Sequence, residues 1–409
     1  MLAICCVALS GKMDGLAPAS LTRLAVACAT MGLQPTDMLG ALCVRAAEPE
    51  VLLQFTAPEL ATLLAALSQM QHRSPPLFAD AADLLASELR AQAPRSLPSA
   101  PAGVGGTAVA GPRGEQRLGA AQAVTAVWAM AAAGLYHRQL FDAAGALLMD
   151  RLGELDGNGL AKTAWSFATI RTADESHRAL WDRDLFDGIA SVCLRRGVSA
   201  FPPRALVTLL WSFASIPHHD APLFDAVGTA LVPHLQPHPT CITPAVPSAS
   251  SPPTPAGIAA ADNAAAAPPV GPLAADLRPS DLVALAWSVM RVGHAHVGLM
   301  AALGDAALAS LEGLDGEDLT TIALAFPAAK AYSERFFKYL VTEAQARPQA
   351  FGQVALLDII RLVSRVQHRD PGFYGPALEM LLDNVHRAFL DSPAEPEKPA
   401  GCMNRFRFG

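Results

Sequence analysis

Apolar residues recur along the chain with the spacing of one helical face. The segment "SDLVALAWSVMRV" at 280–292 is a clear case, with Pro279 or Ser280 as its start signal. Its apolar positions are Leu282, Leu285, Ala286, Val289 and Val292. This i, i+3, i+4, i+7 pattern predicts an amphipathic helix of about thirteen residues.

The same phrase, centred on a tryptophan, occurs four times. A leucine usually lies five residues before the tryptophan, small residues surround it, and an apolar residue lies five after it. The pattern extends to segments without tryptophan, which gives eight aligned positions: Val26, Ala65, Trp128, Trp165, Trp211, Trp287, Leu324 and Arg361. Successive spacings are 39, 63, 37, 46, 76, 37 and 37 residues, so the underlying period is about 37.

A second landmark supports this period. An apolar residue, often within "LFD" or "LFA", follows thirteen residues after the aligned position. These residues are Leu39, Phe78, Phe141, Phe224, Met300 and Phe337. In the eighth repeat we assign the landmark to Phe373, twelve residues after Arg361, and in the fourth Phe186 arrives after 21 because "RTADESHRALWD" is inserted at 171–182. They predict a second helix in each unit. The glycines of "LGELDGNGL" (152–160) and "LEGLDGEDL" (311–319) are expected to close it in a left-handed turn.

Short two-helix units gain stability by stacking, so the repeat predicts an all-α fold, an α-solenoid of about eight two-helix repeats. Segments rich in Ala, Pro, Ser and Gly explain the longer spacings. The expected organisation is helical repeats 1–2 at 14–92, a disordered linker at 93–116, repeats 3–5 at 117–236, a disordered linker at 237–277, repeats 6–8 at 278–390, and a disordered tail at 391–409.

Composition agrees with a large buried core, since 52% of the 409 residues are hydrophobic and 16% are charged. The net charge of −7 shows no basic excess. The uncharged stretch Leu118–Tyr136 is long enough to span a bilayer. It falls within the repeat pattern, and we therefore predict a buried helix and no membrane span. The N-terminus carries no clear secretory signal or transit peptide.

Catalytic and cofactor motifs are not recognisable. The glycine-rich "GVGGTAVAGPRG" (103–114) lacks the lysine and hydroxyl of a phosphate-binding loop. The pairs His218–His219 and His294/His296 lack partners at metal-ligand spacing and are expected to be exposed loop histidines. The seven cysteines are scattered and predict small buried residues or free thiols. We therefore expect no enzyme, no cofactor, no metal and no small-molecule substrate.

Variable polar residues recur on the first helix of each repeat. Three residues before the aligned position come Arg23, Thr62, Thr125, Lys162, Thr208, Ala284, Thr321 and Asp358. Four residues after it come Thr30, Gln69, Ala132, Thr169, Ser215, Arg291, Ala328 and Arg365. One residue after it come Ala27, Ala66, Ala129, Ser166, Ser212, Ser288, Ala325 and Leu362. These offsets predict one stripe along the helix. Its polar members are candidates for RNA contacts, about one base per repeat, although a solvated face would look similar.

The phrase L-x-x-L-A-W-[SA]-x-A-x-[LIV]-G, best matched at 281–293, 205–217 and 159–170, resembles the octotricopeptide repeats of green algal organelle proteins. The related FAST-kinase-like proteins share the phrase, and the RAP domain that many such proteins carry is not recognisable here. The resemblance implies a chloroplast or mitochondrial protein that binds single-stranded organelle RNA and acts in transcript stability, processing, splicing or translation, with possible protein partners in a ribonucleoprotein complex.

An α-solenoid that binds protein segments and does not contact RNA remains the alternative. The acidic composition favours this alternative, because phosphate neutralisation by Lys and Arg normally dominates RNA affinity. The tryptophan is expected to pack between repeats, since other residue types occupy its position in four of the eight units.

Overall fold

The computed structural model describes residues 15–92, 118–173, 183–216, 218–236 and 277–389. Within these ranges the chain forms seventeen α-helices and no strand, and neighbouring helices pack in pairs. The all-α repeat architecture is therefore confirmed. The predicted linkers and tail lie outside the described residues, apart from Leu277.

Each of the eight repeats supplies one first helix. These helices are α1 (Pro18–Thr30), α4 (Ala57–Gln69), α6 (Ala120–Ala132), α8 (Gly157–Ala173), α10 (Pro203–Ser215), α12 (Pro279–Val292), α14 (Gly316–Ala328) and α16 (Gln353–Val366). In all eight, the aligned position is the ninth residue of the helix. The 37-residue period is thus a period of the backbone as well as of the sequence.

The second helices follow the same register. They are α2 (Thr36–Ala47), α5 (Pro75–Gln92), α7 (Arg138–Arg151), α9 (Arg183–Arg196), α11 (Ala221–Leu235), α13 (Val297–Ala309), α15 (Glu334–Ala346) and α17 (Pro371–Phe389). A short helix, α3 (Pro49–Leu52), connects the first two repeats. The second landmark is the fourth residue of the second helix in seven repeats, and all seven side chains are buried.

The last repeat departs from the predicted landmark. Phe373 is only partly buried, while its neighbour Tyr374 is the fourth residue of α17 and is fully buried. The hydroxyl of Tyr374 lies 2.9 Å from that of Tyr332, so a polar ring is accepted in the core where its oxygen has a partner. The assignment to Phe373 was therefore wrong by one residue, and the thirteen-residue spacing holds here too, because Tyr374 lies thirteen residues after Arg361.

Several first helices begin with side-chain caps. Thr56 and Glu59 form a reciprocal capping box at α4, and Asp315 accepts a hydrogen bond from the backbone N–H of Asp318 at α14. Helix α12 begins at Pro279, as one of the two predicted start signals requires. These bonds satisfy first-turn amides that have no partner within the helix.

Left-handed glycines follow several helices, but not at the "LDG" segments, where the sequence predicts them. Gly134 and Gly293 follow α6 and α12 with φ of 69° and 71°, the left-handed region that glycine enters without strain. By contrast, Gly157 and Gly316 are the first residues of α8 and α14. A Cβ on Gly157 would lie 2.7 Å from the ring of Phe201, so close packing explains this glycine. The predicted left-handed turn was wrong here.

The described residues form two compact units that divide between Val227 and Gly228, within α11. In the first unit, α1, α4, α6, α8 and α10 pack in sequence order, and α2, α5, α7 and α9 do the same. In the second unit, the order is α12, α14 and α16, with α13, α15 and α17 alongside. Each unit is therefore two-layered, with first helices in one layer and second helices in the other.

The apolar stretch Leu118–Tyr136 contains α6, whose thirteen residues are too few to cross a bilayer. More generally, the described helices include none with both the length and the apolarity of a membrane span.

Candidate functional site

Two flanks of a first helix are buried where other first helices pack against them. The residues four and one before the aligned position are buried in each first helix that is followed by another in its unit: Thr22, Ala25, Ala61, Leu64, Val124, Val127, Ala161, Ala164, Val283, Ala286, Thr320 and Ala323. In α16, after which no further first helix is described, Leu357 is 44% exposed and Ile360 is partly exposed. This flank therefore contacts the following repeat.

The opposite flank contacts the preceding repeat. The residue one after the aligned position is buried in each first helix that has a predecessor in its unit: Ala66, Ala129, Ser166, Ser212, Ala325 and Leu362. In α1, before which no other first helix is described, the equivalent Ala27 is exposed. Small side chains predominate here, and the Ser68 hydroxyl of α4 donates to the carbonyl oxygen of Ala129 across 2.7 Å.

The sector left open between these flanks is the first-helix face, which comprises the positions three before, at and four after the aligned position. At about 100° per residue, these three positions fall within about 60° of one another. The position one after it is rotated into the junction, so its inclusion in the predicted stripe was wrong. The sequence-based interpretation missed the aligned position itself, which belongs to the open sector.

Most predicted RNA-contact residues do lie on the first-helix face. Six are exposed: Arg23, Thr62, Gln69, Lys162, Arg291 and Arg365. Five are partly exposed: Thr125, Thr169, Ser215, Thr321 and Asp358. Thr208 is the exception, because it is buried. The predicted RNA-contact residues of each unit therefore lie on one helix layer, and all of them except Thr208 are accessible at least in part.

Hydroxyl groups on the first-helix face donate within their own helices. Thr62, Thr125, Thr321 and Ser215 each donate to the carbonyl oxygen four residues earlier, over 2.7–2.9 Å. The hydroxyl proton is therefore committed, while the oxygen retains acceptor capacity. In this arrangement these side chains suit ligands that present N–H donors, as nucleobase edges do.

Charged groups on the first-helix face differ in their surroundings. Asp358 accepts a 2.9 Å hydrogen bond from Arg361, which occupies the aligned position of the eighth repeat and is exposed. Lys162 places its Nζ 5.1 Å from the ring centroid of Trp128 in the preceding repeat. This cation–π contact links α6 and α8 across the first-helix face.

The four repeated tryptophans are not equivalent. Trp165 and Trp211 are 6% and 5% exposed, which agrees with the predicted packing role. Trp128 and Trp287 are partly exposed. The sequence signal that would have separated the two pairs is weak, because the flanking residues are small and apolar in all four phrases.

Charge is unevenly divided between the helix layers of repeats 1–5. The first helices carry four basic residues and one acidic residue: Arg23, Lys162, Arg171, Arg204 and Glu59. The second helices of the same repeats carry nine acidic and seven basic residues. The carboxylate of Glu59 is occupied in the α4 capping box. By residue count, the first helices of these repeats are therefore net positive in an acidic chain.

The four histidines lie in turns, as predicted, but only His219 is fully exposed, while His294 and His296 are partly exposed. His218 is buried, with its Nε2 3.0 Å from Oδ1 of Asp187 in the preceding repeat. The Nδ1 of His296 accepts a hydrogen bond from the backbone N–H of Leu299 and caps α13. Across the described ranges, no three His, Cys, Asp or Glu side chains gather as metal ligands.

Three of the cysteines are core residues, as one of the two interpretations predicted. Cys28, Cys43 and Cys193 are buried. Burial raises the pKa of the Cys43 thiol to about 11 and that of Cys193 to about 12. Both therefore remain protonated at neutral pH and are poor nucleophiles.

Comparison with protein-family models gives no match, and comparison with curated proteins gives none either. The functional argument therefore depends on the repeat geometry and on the chemistry of the first-helix face.

Proposed function

We propose that this protein binds single-stranded RNA along its first-helix face. The observation that carries the proposal is the accessibility pattern. In most first helices, the neighbouring repeats bury the flanks, while the positions three before and four after the aligned position are exposed or partly exposed and change chemistry from repeat to repeat; Thr208 and Ala284 are buried. Repeat proteins that read RNA use such a series of side chains, about one base per repeat.

The charge distribution supports the same proposal. RNA affinity depends on cations that contact phosphates, and the chain as a whole is acidic. The first helices of repeats 1–5 nevertheless have an excess of three positive charges, and Arg23 and Lys162 are exposed on the first-helix face. The excess of acidic side chains lies on the second helices, farther from a strand bound to the first helices.

The resemblance to octotricopeptide repeats supplies the finer part of the proposal. On this basis the ligands would be transcripts of a chloroplast or mitochondrion, and the role would be transcript stability, processing, splicing or translation. Protein partners in a ribonucleoprotein complex would fit the same role.

An electrophoretic or anisotropy titration with short single-stranded RNA tests the proposal. We expect binding at about 50 mM salt, with an affinity that falls steeply as salt rises. The full chain should prefer single strands to a duplex of the same sequence, because stacked and paired bases hide the edges that the first-helix face would contact. Absence of binding at low salt would contradict the proposal.

A protein-binding scaffold is the second candidate, and one observation favours it. On α16, Val354 is 64% exposed and Leu357 is 44% exposed, and apolar side chains of this kind favour protein partners over RNA. Affinity capture before and after RNase treatment separates the two functions. Partners retained after RNase, together with no direct RNA binding by the purified chain, would favour the scaffold.

A further inference from the structure

Trp128 and Lys162 form an aromatic–cation pair on the first-helix face. Trp128 occupies the aligned position of α6 and is partly exposed, and Lys162 lies three residues before the aligned position of α8 and is exposed. The ammonium lies 5.1 Å from the centroid of the indole. The pair therefore combines an accessible aromatic ring with a mobile positive charge from the adjacent repeat.

On α6, the side chains that share the sector of Trp128 are small and uncharged. Helix α6 contains no charged residue. Its other side chains in the same sector are Ala121, Thr125 and Ala132, of which Ala121 is exposed and the other two are partly exposed. No carboxylate of α6 therefore competes for Lys162, and the indole is flanked by short side chains.

Single-stranded nucleic acids are commonly held by two such groups. A base stacks on an aromatic ring, because every base has a π face, and a cation contacts the adjacent phosphate. Stacking tolerates different bases, whereas the polar side chains of neighbouring repeats discriminate base edges. An aromatic group within the first-helix face would thus contribute affinity, and the variable positions would contribute selectivity.

We propose that Trp128 and Lys162 form a nucleotide subsite, in which one RNA base stacks on the Trp128 indole and Lys162 moves from the ring to the neighbouring phosphate. This inference rests on the proposed RNA-binding function and deepens it. The lysine side chain has four rotatable methylenes, so it can exchange the indole for a phosphate oxygen without backbone movement.

The other three aligned tryptophans differ from Trp128 in exposure or in the charge of the neighbouring repeat. Trp165 and Trp211 are buried and cannot offer a ring face. Trp287 is partly exposed, but the residue three before the aligned position of the following first helix is Thr321, which carries no charge. Trp287 therefore serves as the comparison: it has the same register and is also partly exposed, and the position equivalent to Lys162 in the next first helix is an uncharged threonine.

The test compares four variants of the full chain by anisotropy titration with a fluorescein-labelled mixed-sequence 15-nucleotide RNA. We expect Trp128→Leu to weaken binding by about tenfold, and Trp128→Phe to retain most of the affinity because a phenyl ring still stacks. Trp287→Leu should change the affinity by less than about twofold. Lys162→Gln should reduce the slope of log affinity against log salt by about 0.7, the value for one phosphate contact on a single strand.

Two results separate failure of the subsite from failure of the proposed function. If the wild-type chain does not bind the RNA at low salt, the RNA-binding function is wrong and the subsite is wrong with it. If the wild-type chain binds but Trp128→Leu matches Trp287→Leu, or Lys162→Gln leaves the salt slope unchanged, the function stands and the subsite is overturned. Circular dichroism of each variant verifies that the helices are retained. If Trp128→Leu does not fold, Trp128→Phe and Lys162→Gln still decide the result.

Discussion

The first-helix layers of the two units share a backbone register but differ in chemistry. In repeats 1–5 the layer has four basic residues and one acidic residue, and three of its five aligned positions are tryptophan. In repeats 6–8 the layer has three basic and four acidic residues, and the aligned positions change from Trp287 to Leu324 and Arg361. The helices nevertheless begin eight residues before the aligned position in both units.

Several acidic residues of the second unit have structural roles. Asp281 accepts from the backbone N–H of Arg278, Asp318 from that of Asp315, and Asp358 from Arg361. The two first-helix layers differ in charge and in aligned residues but keep the same helix register. The stacking of the repeats therefore depends on the buried flanks and caps, whereas the residues of the open sector vary at little structural cost. The first unit thus has the more cationic and aromatic first-helix layer.

The largest expected effect concerns the buried and partly exposed tryptophans. Trp211→Ala should lower the free energy of unfolding by about 3–5 kcal/mol, because a buried indole leaves a cavity. Trp287→Ala in the second unit should cost about half as much, since part of its ring is already in water. Urea unfolding followed by circular dichroism measures both. Equal losses would show that the two aligned positions pack alike.

Glycines at the start of α8 and α14 provide a second comparison. Gly316→Ala places a Cβ 2.4 Å from the backbone oxygen of Ala350, which cannot move aside, and should cost about 2–3 kcal/mol. Gly157→Ala meets the Phe201 ring at 2.7 Å and should cost about 1–2 kcal/mol, because a ring can shift. Gly153 has no atom within 4 Å of an added Cβ and serves as the neutral control.

That comparison is made by the same urea titrations at one temperature. If Gly157→Ala costs more than Gly316→Ala, the close approach of the Ala350 backbone is not what requires glycine at the start of α14.

The charge comparison predicts unequal contributions to RNA binding. The double variant Arg23→Gln/Lys162→Gln should weaken binding by about tenfold and reduce the salt slope by about 1.4, the value for two phosphate contacts. Arg291→Gln/Arg365→Gln in the second unit should weaken it by about threefold or less, because carboxylates share that layer. Anisotropy titrations at three salt concentrations measure both slopes. If both double variants reduce the salt slope equally, the two units contribute equally to phosphate contacts and the comparison is wrong.

The smallest effect concerns equivalent caps in the two units. Asp156 accepts from the N–H of Gly159 at 2.7 Å, and Asp315 accepts from the N–H of Asp318 at 2.8 Å. Asp156→Ala should cost about 1 kcal/mol in thermal unfolding. Asp315→Ala should cost slightly less, because the bond from its backbone N–H to Asp318 remains. No loss at either site would show that water caps these helices equally well.

The repeat itself was predictable because each unit contains the same local signals. Helical apolar spacing, a recurring leucine before the aligned position and the "LFD" landmark are properties of the chain that act within one repeat. The register of seven second helices followed from them. The last repeat follows the same rule, since Tyr374 lies thirteen residues after Arg361, and the choice of Phe373 departed from that spacing. What the local pattern does not show is the partner of the buried Tyr374 hydroxyl, which is Tyr332, 42 positions away.

The composition of the candidate site was only partly predictable. Helical spacing alone cannot tell which side of a first helix meets the preceding repeat, so Ser166 and Ser212 were included in the stripe and the aligned position was left out. The burial of Thr208 and His218 likewise depends on neighbouring helices and not on their own segments.

By itself, the sequence determined the two-helix unit, its period and the order of repeats, because these depend on local propensity and on apolar patterning within about forty residues. The tertiary structure alone decided which sector of each first helix stays open, that Trp128 is accessible while Trp211 is not, and that Lys162 lies over the Trp128 ring. The physical reason is that accessibility is set by the stacking of successive repeats, which places side chains far apart in the sequence against the same surface.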